Sequence, residues 1–303
     1  MRIFVYLPFV SCVIAVASAR LVARRTAPHL SARVLTLTAL TLALATAAAL
    51  SLLAFTVVAR IPLVASHGRW AASAVASRVQ VPAWLGVIAI ACIAAIAVRT
   101  VRIFDRYRRG LGHAVRLQLE SSGEVVTVTD PASFAYASRV WPFRPGVIIV
   151  SDGLQQTLDA DERAAVLAHE QSHLAHQHSL YELAALLAGA LNPLLRPLQR
   201  GINFSLERWA DEDAAAVQGR DVAASALATS ALHSVGAAPR PALAHATTYV
   251  PARVEALLDS PCPRSRLLMW LASVNAIAAA VAVLLAAHST EHIFEVLRAL
   301  HHV

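Results

Sequence analysis

At 303 residues the chain is long enough for two ordinary domains, but 57% of it is hydrophobic and its mean hydropathy is +0.57, more apolar surface than a soluble core of this size buries. The formal charge of +7 is carried wholly by arginine, since the sequence has no lysine. These arginines cluster at the ends of apolar runs instead of forming a basic face with interleaved aromatics, which argues against nucleic-acid binding and for membrane topology. Cys12 and Cys92 fall inside apolar runs and Cys262 stands alone, so no disulfide is expected.

In chain order, four stretches are long and apolar enough to cross a bilayer: about 3–19, 34–59, 84–104 and 267–287. The first lacks a convincing cleavage site and reads as a retained anchor. Arg20, Arg24, Arg25 and Arg33 lie between the first two stretches, and Arg99, Arg102, Arg106, Arg108 and Arg109 follow the third. Positively charged loops stay in the cytoplasm. The N-terminus is therefore expected outside, residues 105–266 in the cytoplasm, and the short tail after the fourth crossing outside. This divides the chain into a membrane region over 1–104, a cytoplasmic domain over 105–266, and a final crossing with its tail over 267–303.

Within the central region, His113–Asp130 alternates in places (Val115, Leu117, Leu119; Val126, Val128) around Ser121-Ser122-Gly123, a pattern that predicts a β-hairpin. Gly146–Val150 is β-branched and bounded by turn residues, so it reads as a strand, and its position suggests that it binds extended substrate by edge pairing. Asp159 followed by Glu162 is a capping-box pattern, which starts a helix over about 160–178.

That helix carries His169-Glu170-Gln171-Ser172-His173. Histidines four apart project from one helical face and grip one zinc ion, while the adjacent glutamate takes a proton from the attacking water. A third protein ligand is needed, and Glu207 is the best candidate. Asp211, one turn further on, is placed to hydrogen-bond the outer nitrogen of a ligand histidine. Glu212 and Asp213 are expected on the solvent face. His176 and His178 lack ligand spacing and are expected at the exposed C-terminal end of the helix. His233, His245, Tyr181 and Tyr249 are the side chains available to polarise a scissile carbonyl. The apolar run from Tyr181 to Leu198 cannot cross the bilayer once, because His173 and Glu207 would then lie on opposite sides. Asn192-Pro193 and Arg196-Pro197 interrupt it, so it reads as a bent interfacial helix or a re-entrant hairpin.

Over about 84–287 these features resemble the BlaR/MecR-type antirepressor metallopeptidases: a spanning segment, Ser133-Phe134-Ala135-Tyr136, Gly146–Val150, Leu158–Glu162 leading into His169–His173, then Glu207–Asp211 and a last spanning segment. The chain is also similar to membrane peptidases of the HtpX and CAAX-protease type. The resemblance implies a multi-pass helical membrane protein with a small α+β, zincin-like (gluzincin) domain. It implies one zinc ion held by His169, His173 and Glu207, with Glu170 as catalytic base and Asp211 as outer partner. The antirepressor receptors carry a large sensor after the last crossing, and here some sixteen residues follow. The implied substrate is a cytoplasmic or membrane-proximal protein, with a winged-helix repressor as one candidate. The alternatives are membrane-protein quality control and a non-catalytic metal-binding receptor, against which the intact Glu170 argues.

Overall fold

In the computed structural model, residues 4–78, 81–120, 124–138, 146–234, 249–259 and 265–301 are described. Among these the chain forms α1 (Leu7–Arg25), α2 (Pro28–Val58), α3 (Pro62–Gly68), α4 (Ala72–Arg78), α5 (Ala83–Glu120), β1 (Val125–Val128), β2 (Ala135–Ser138), β3 (Val147–Ser151), α6 (Asp152–Thr157), α7 (Ala160–Ala175), α8 (His178–Leu191), α9 (Arg196–Gln218), α10 (Arg220–Ser234), α11 (Val250–Leu258) and α12 (Arg266–His301). By length and composition, four of the described helices are apolar enough to cross a membrane: Leu7–Arg25, Pro28–Val58, Ala83–Arg106 and Arg266–Ala299.

The helical frame is built around α2, which packs against α1, α5, α8, α9 and α12. Its buried face is small: Ala32, Ala39, Ala43 and Ala49 are almost wholly covered, so neighbouring backbones approach closely. Thr46 satisfies its buried hydroxyl by donating to the carbonyl of Leu42 at 2.8 Å. The outer face of the frame is equally apolar, with Leu37, Leu44, Val13, Trp84, Trp270 and Leu284 all exposed.

The two ends of this frame differ. At one end α3 and the C-terminal part of α12 meet: Trp70 stacks edge-on against Phe294 with centroids 4.8 Å apart, and Arg298 Nε donates to Gly68 O at 3.2 Å. At the other, the α1–α2 turn meets α9. There Ser31 Oγ donates to Ser205 Oγ at 2.9 Å and Arg208 Nη1 donates to Ala23 O at 2.9 Å.

The run from 181 to 198 forms most of a helical hairpin. α8 ends at Asn192, whose side chain accepts from Leu194 N at 3.0 Å and starts a 3₁₀ turn over Pro193–Leu195; α9 then returns alongside α8. Asn192 Nδ2 reaches Cys12 Sγ at 3.2 Å and Thr46 Oγ1 at 3.3 Å, so the hairpin tip lodges deep between α1 and α2. The chain thus goes down and comes back without emerging on the far side of the frame.

The sheet differs from its expected form. His113–Glu120 continues α5 as helix, so no hairpin forms over 113–130, and Ser121-Ser122-Gly123 lies outside the described residues. Extending an already nucleated helix costs less than starting a strand that lacks a partner. Val126 and Val128 do lie on a strand, but β1 pairs in parallel with β3, Val125 opposite Ile148. β2 pairs antiparallel with the other side of β3, Tyr136 opposite Ile149. β3 is therefore the central strand of order β1-β3-β2 and buried throughout. The strand at 146–150 exists, but it has no open edge to offer a substrate.

The helix expected over 160–178 starts as anticipated: Glu162 N donates to Asp159 Oδ1 at 2.8 Å, and Asp159 N donates to Glu162 Oε2 at 3.2 Å. It ends earlier, at Ala175, because Gln177 takes a left-handed conformation (φ 54°) that turns the chain into α8.

Candidate metal centre

His169 and His173 lie one turn apart on α7, and Glu207 approaches from α9, buried. His169 Nε2 is 3.1 Å from His173 Nε2 and 3.7 Å from Glu207 Oε2; His173 Nε2 is 3.8 Å from Glu207 Oε1. Two donors bound to one tetrahedral zinc at its usual bond lengths stand about 3.4 Å apart, a value that these three separations straddle. Two imidazoles and a carboxylate are also the borderline-soft and hard donors that zinc takes. The residues fit the ion.

Each histidine is held from behind. Asp211 Oδ1 lies 3.1 Å from His169 Nδ1. On the other side His173 Nδ1 meets His178 Nδ1 at 2.9 Å. The sequence places His178 on an exposed helix end; in the fold it opens α8, is fully buried, and packs against Trp209 and Tyr181. His176 is half-buried, stacked on Trp209, with Nε2 3.0 Å from Asp213 Oδ2. Asp213 also accepts from Ser172 Oγ at 2.6 Å, and Glu212 pairs with Arg220 at 2.7 Å. These two acids are half-buried ties between helices, not solvent-facing groups.

Arg253, on α11, is the residue that sequence reading missed. It is 2% exposed. Its Nη1 lies 2.7 Å from Glu207 Oε2, its Nη2 2.6 Å from Asp211 Oδ1, and its Nε donates to Asp211 Oδ2 at 2.8 Å. A signal was present: two carboxylates four apart on one buried helical face require a cation. Nothing local to Pro251-Ala252-Arg253 says that this is the one.

Burial opposes ionisation of Glu207 and Asp211, yet the Arg253 guanidinium and the His169 ring hold both well below the usual carboxylate range. Burial likewise disfavours a charged His169, but the Asp211 and Glu207 carboxylates beside it push it up to about 10. Burial and the neighbouring His169 keep His173 low, against the pull of Glu207. Glu182, one turn into α8, is a further carboxyl near the centre; burial, then Glu207 and Glu170, push it up to about 7.

Glu170 points towards the sheet, where its Oε2 accepts from Ala137 N at 2.7 Å. β2, not β3, therefore turns its outer edge towards α7. Beside Glu170 opens a cavity of about 110 Å³, lined mainly by apolar side chains of β2, α7 and α10, such as Ala135, Val166, Ala226 and Leu227. Two hydroxyls in its wall, those of Ser133 and Ser230, are buried without a hydrogen-bond partner. His233 lies on the outside of α10, bonded to its own Thr229 carbonyl at 2.9 Å, and Tyr249 packs on Phe204. Neither lines the cavity, and His245 lies outside the described residues.

Residues 105–236 match the family model of Peptidase family M48. This stretch supports a zinc-dependent metallopeptidase family. It contains the helix with His169, Glu170 and His173, and the helix with Glu207 and Asp211; it leaves out α1, α2, α12 and the helix that carries Arg253. No curated protein and no solved structure matches the chain significantly.

Proposed function

We propose that the chain is a membrane-embedded zinc endopeptidase. The observation that carries this reading is the convergence of His169 and His173 from α7 with Glu207 from α9, across the intervening apolar α8, with Glu170 beside them and a strand edge alongside. A zinc ion bound there supplies Lewis-acid polarisation of the scissile carbonyl and of water. Glu170 takes the proton of the attacking water and returns it to the leaving amine. Extended substrate adds to the outer edge of β2, and one side chain next to the scissile bond enters the cavity at Ala226 and Leu227. Asp211 orients His169 and His178 orients His173.

Membrane placement is supported by the exposed apolar belt on α1, α2, α5 and α12. The metal centre lies at the α1–α2 end of the frame, where Arg20, Arg24, Arg25 and Arg33 cluster, which the positive-inside tendency puts in the cytoplasm. The α8–α9 hairpin is then re-entrant, and residues 105–266 face the cytoplasm. The substrate is a protein cut in the cytoplasm or close to the membrane; the likeness to the BlaR/MecR type makes a winged-helix repressor a candidate.

The test is zinc content and cleavage of an unfolded protein by the full chain purified in detergent. About one zinc per chain and cleavage abolished by a chelator and restored by zinc are expected. Zinc-independent cleavage would sink the reading. For topology, a cysteine introduced at Thr127 should resist a membrane-impermeant reagent in intact cells, and labelling there would overturn the orientation.

A further inference from the structure

The outer edge of β2 is short, and the register fixes which of its groups face outward. Phe134 O accepts from Ser151 N at 3.0 Å and Phe134 N donates to Ser151 Oγ at 3.0 Å, so the backbone of Phe134 faces β3. Along an antiparallel strand, successive residues direct their backbone groups to opposite edges. Tyr136 opposite Ile149 and Ser138 opposite Val147 continue the same register. Ala135 and Ala137 therefore turn their N–H and C=O groups to the outer edge, and in a strand that spans Ala135–Ser138 they carry its outward ladder.

The Ala137 N–H is already engaged: it donates to Glu170 Oε2 at 2.7 Å, the short end of the N–H···O range, as a charged acceptor makes it. The sequence permits this approach. Ala135 packs with Val166 and Leu167 of α7, whereas Phe134 and Tyr136 pack on the opposite face of the sheet. By the two-residue period of a strand, Ala137 shares the face of Ala135. Methyl groups on that face let α7 come close enough for a glutamate to reach the backbone. A substrate strand laid along this edge needs the same N–H that Glu170 holds.

We propose that the Ala137 N–H is exchanged between base and substrate. In the free chain it holds Glu170 at the sheet; a substrate that pairs with Ala135 and Ala137 takes the donor over and releases the carboxylate to receive the proton of the attacking water. This exchange presupposes the docking of substrate at β2 stated above. The substrate class follows from the magnitudes. A hydrogen bond to a carboxylate is roughly twice as strong as a neutral one, so a single peptide carbonyl does not displace Glu170. A segment that also bonds both groups of Ala135 turns the balance. The substrates are thus extended, unpaired stretches of protein, and short peptides with the same scissile bond are poor ones because they leave the base held.

Two measurements on the full chain in detergent test this. The first is affinity for a blocked, uncharged, unstructured peptide of about ten residues, roughly twice the length of an ordinary strand, read by stopped-flow fluorescence anisotropy before turnover. Glu170→Ala removes the competitor and should bind about fivefold tighter than wild type, the difference between a charge-assisted and a neutral bond. Ala137→Pro, tolerated where the N–H faces away from the neighbouring strand, should abolish that gain when combined with it. The second is turnover of a blocked tripeptide taken from around the scissile bond, which Ala137→Pro should speed about tenfold or more by freeing the base. Should Ala137→Pro fail to fold, lactic acid placed at 137 replaces the same N–H by an ester oxygen. Equal affinity of wild type and Glu170→Ala, or tripeptide turnover that falls or stays level on loss of the N–H, would overturn the exchange. Glu170→Ala affinity indifferent to Ala137→Pro would refute docking at β2, and zinc-independent cleavage the peptidase reading itself, so the failures are distinguishable.

Discussion

The two candidate ligand histidines are one helical turn apart, yet the ground behind them is different. Behind His169 lies charge: Asp211, then Arg253, which also grips Glu207. Behind His173 lies a neutral ring, His178, set among Trp209, Tyr181 and His176. Glu170, Glu207 and Asp211 face the centre, and the Arg253 guanidinium stands against them. The first flank thus sets the charge of the site. The second sets its shape, because a buried neutral imidazole can only orient.

The sharpest break in this comparison separates catalysis from metal binding. Glu170→Gln keeps the volume and removes the base; zinc should stay near one per chain while peptide hydrolysis falls by about 10²–10⁴ or more. Glu207→Ala should lose both, because two histidines leave the coordination shell short. Metal content and proteolysis measured on the same samples decide it, with His169→Ala as the metal-poor reference. A fully active Glu170→Gln would end the metallopeptidase reading.

The charged flank should be the costlier to break in stability. Arg253→Leu leaves Glu207 and Asp211 buried without their counter-ion, a change of roughly 3–5 kcal/mol in comparable buried pairs. Thermal unfolding in detergent should drop steeply, and added zinc should recover part of the loss by restoring positive charge. An unchanged unfolding temperature would mean that the network on α9 and α11 contributes little.

The neutral flank should act on affinity. His178→Phe fills the space but offers no acceptor to His173 Nδ1, so zinc affinity, measured by chelator competition, should fall about 10–100-fold. His178→Asn, whose carbonyl can take the place of Nδ1, should recover most of it. The same pair gives a pH signature. Burial, with His173 and His176 nearby, pushes His178 down to about 2, whereas an unfolded histidine titrates near about 6.5. Below that point the unfolded chain takes up a proton that the folded one refuses, so stability falls as pH drops from 6.5. His178→Asn should flatten this loss between pH 6.5 and 5; an unaltered acid slope would count against the buried neutral ring.

How much of this was legible in the sequence depends on the range of the interaction. The capping box, the histidine spacing, the carboxylates at 207 and 211 and the four long apolar helices are local patterns, and each has its helix in the structure. That the run from 181 to 198 is not a single crossing was legible for a different reason, since chemistry required His173 and Glu207 to meet; the choice between an interfacial helix and a re-entrant hairpin was not. What was not legible came from distant pairing. Whether 113–120 is strand or helix depends on a strand partner that only the folded sheet provides. Whether β3 is edge or centre depends on β2 lying on its other side. Arg253 is found only through the fold that brings α11 against α9, and His178 only through the left-handed turn at Gln177.

The smallest expected effect tests how α7 is aimed at both flanks. Its N-terminus is tied twice: to itself, through the reciprocal bonds of Asp159 and Glu162, and to α10, where Ser225 Oγ donates to Glu162 Oε1 at 2.6 Å. Asp159→Ala removes the cap from the exposed end, and such losses are about 1 kcal/mol. Ser225→Ala removes only the tie to α10 and leaves the cap intact, so on this exposed surface it should cost about 0.5 kcal/mol or less. The cap lies ten residues before His169, close to three turns of helix, and the two candidate ligand histidines are separately held by Asp211 and His178. Both variants should therefore lower the unfolding temperature slightly and leave zinc affinity unchanged. If Asp159→Ala weakened zinc as strongly as His178→Phe, the direction of α7 would be set at its start and not by the groups behind the two histidines.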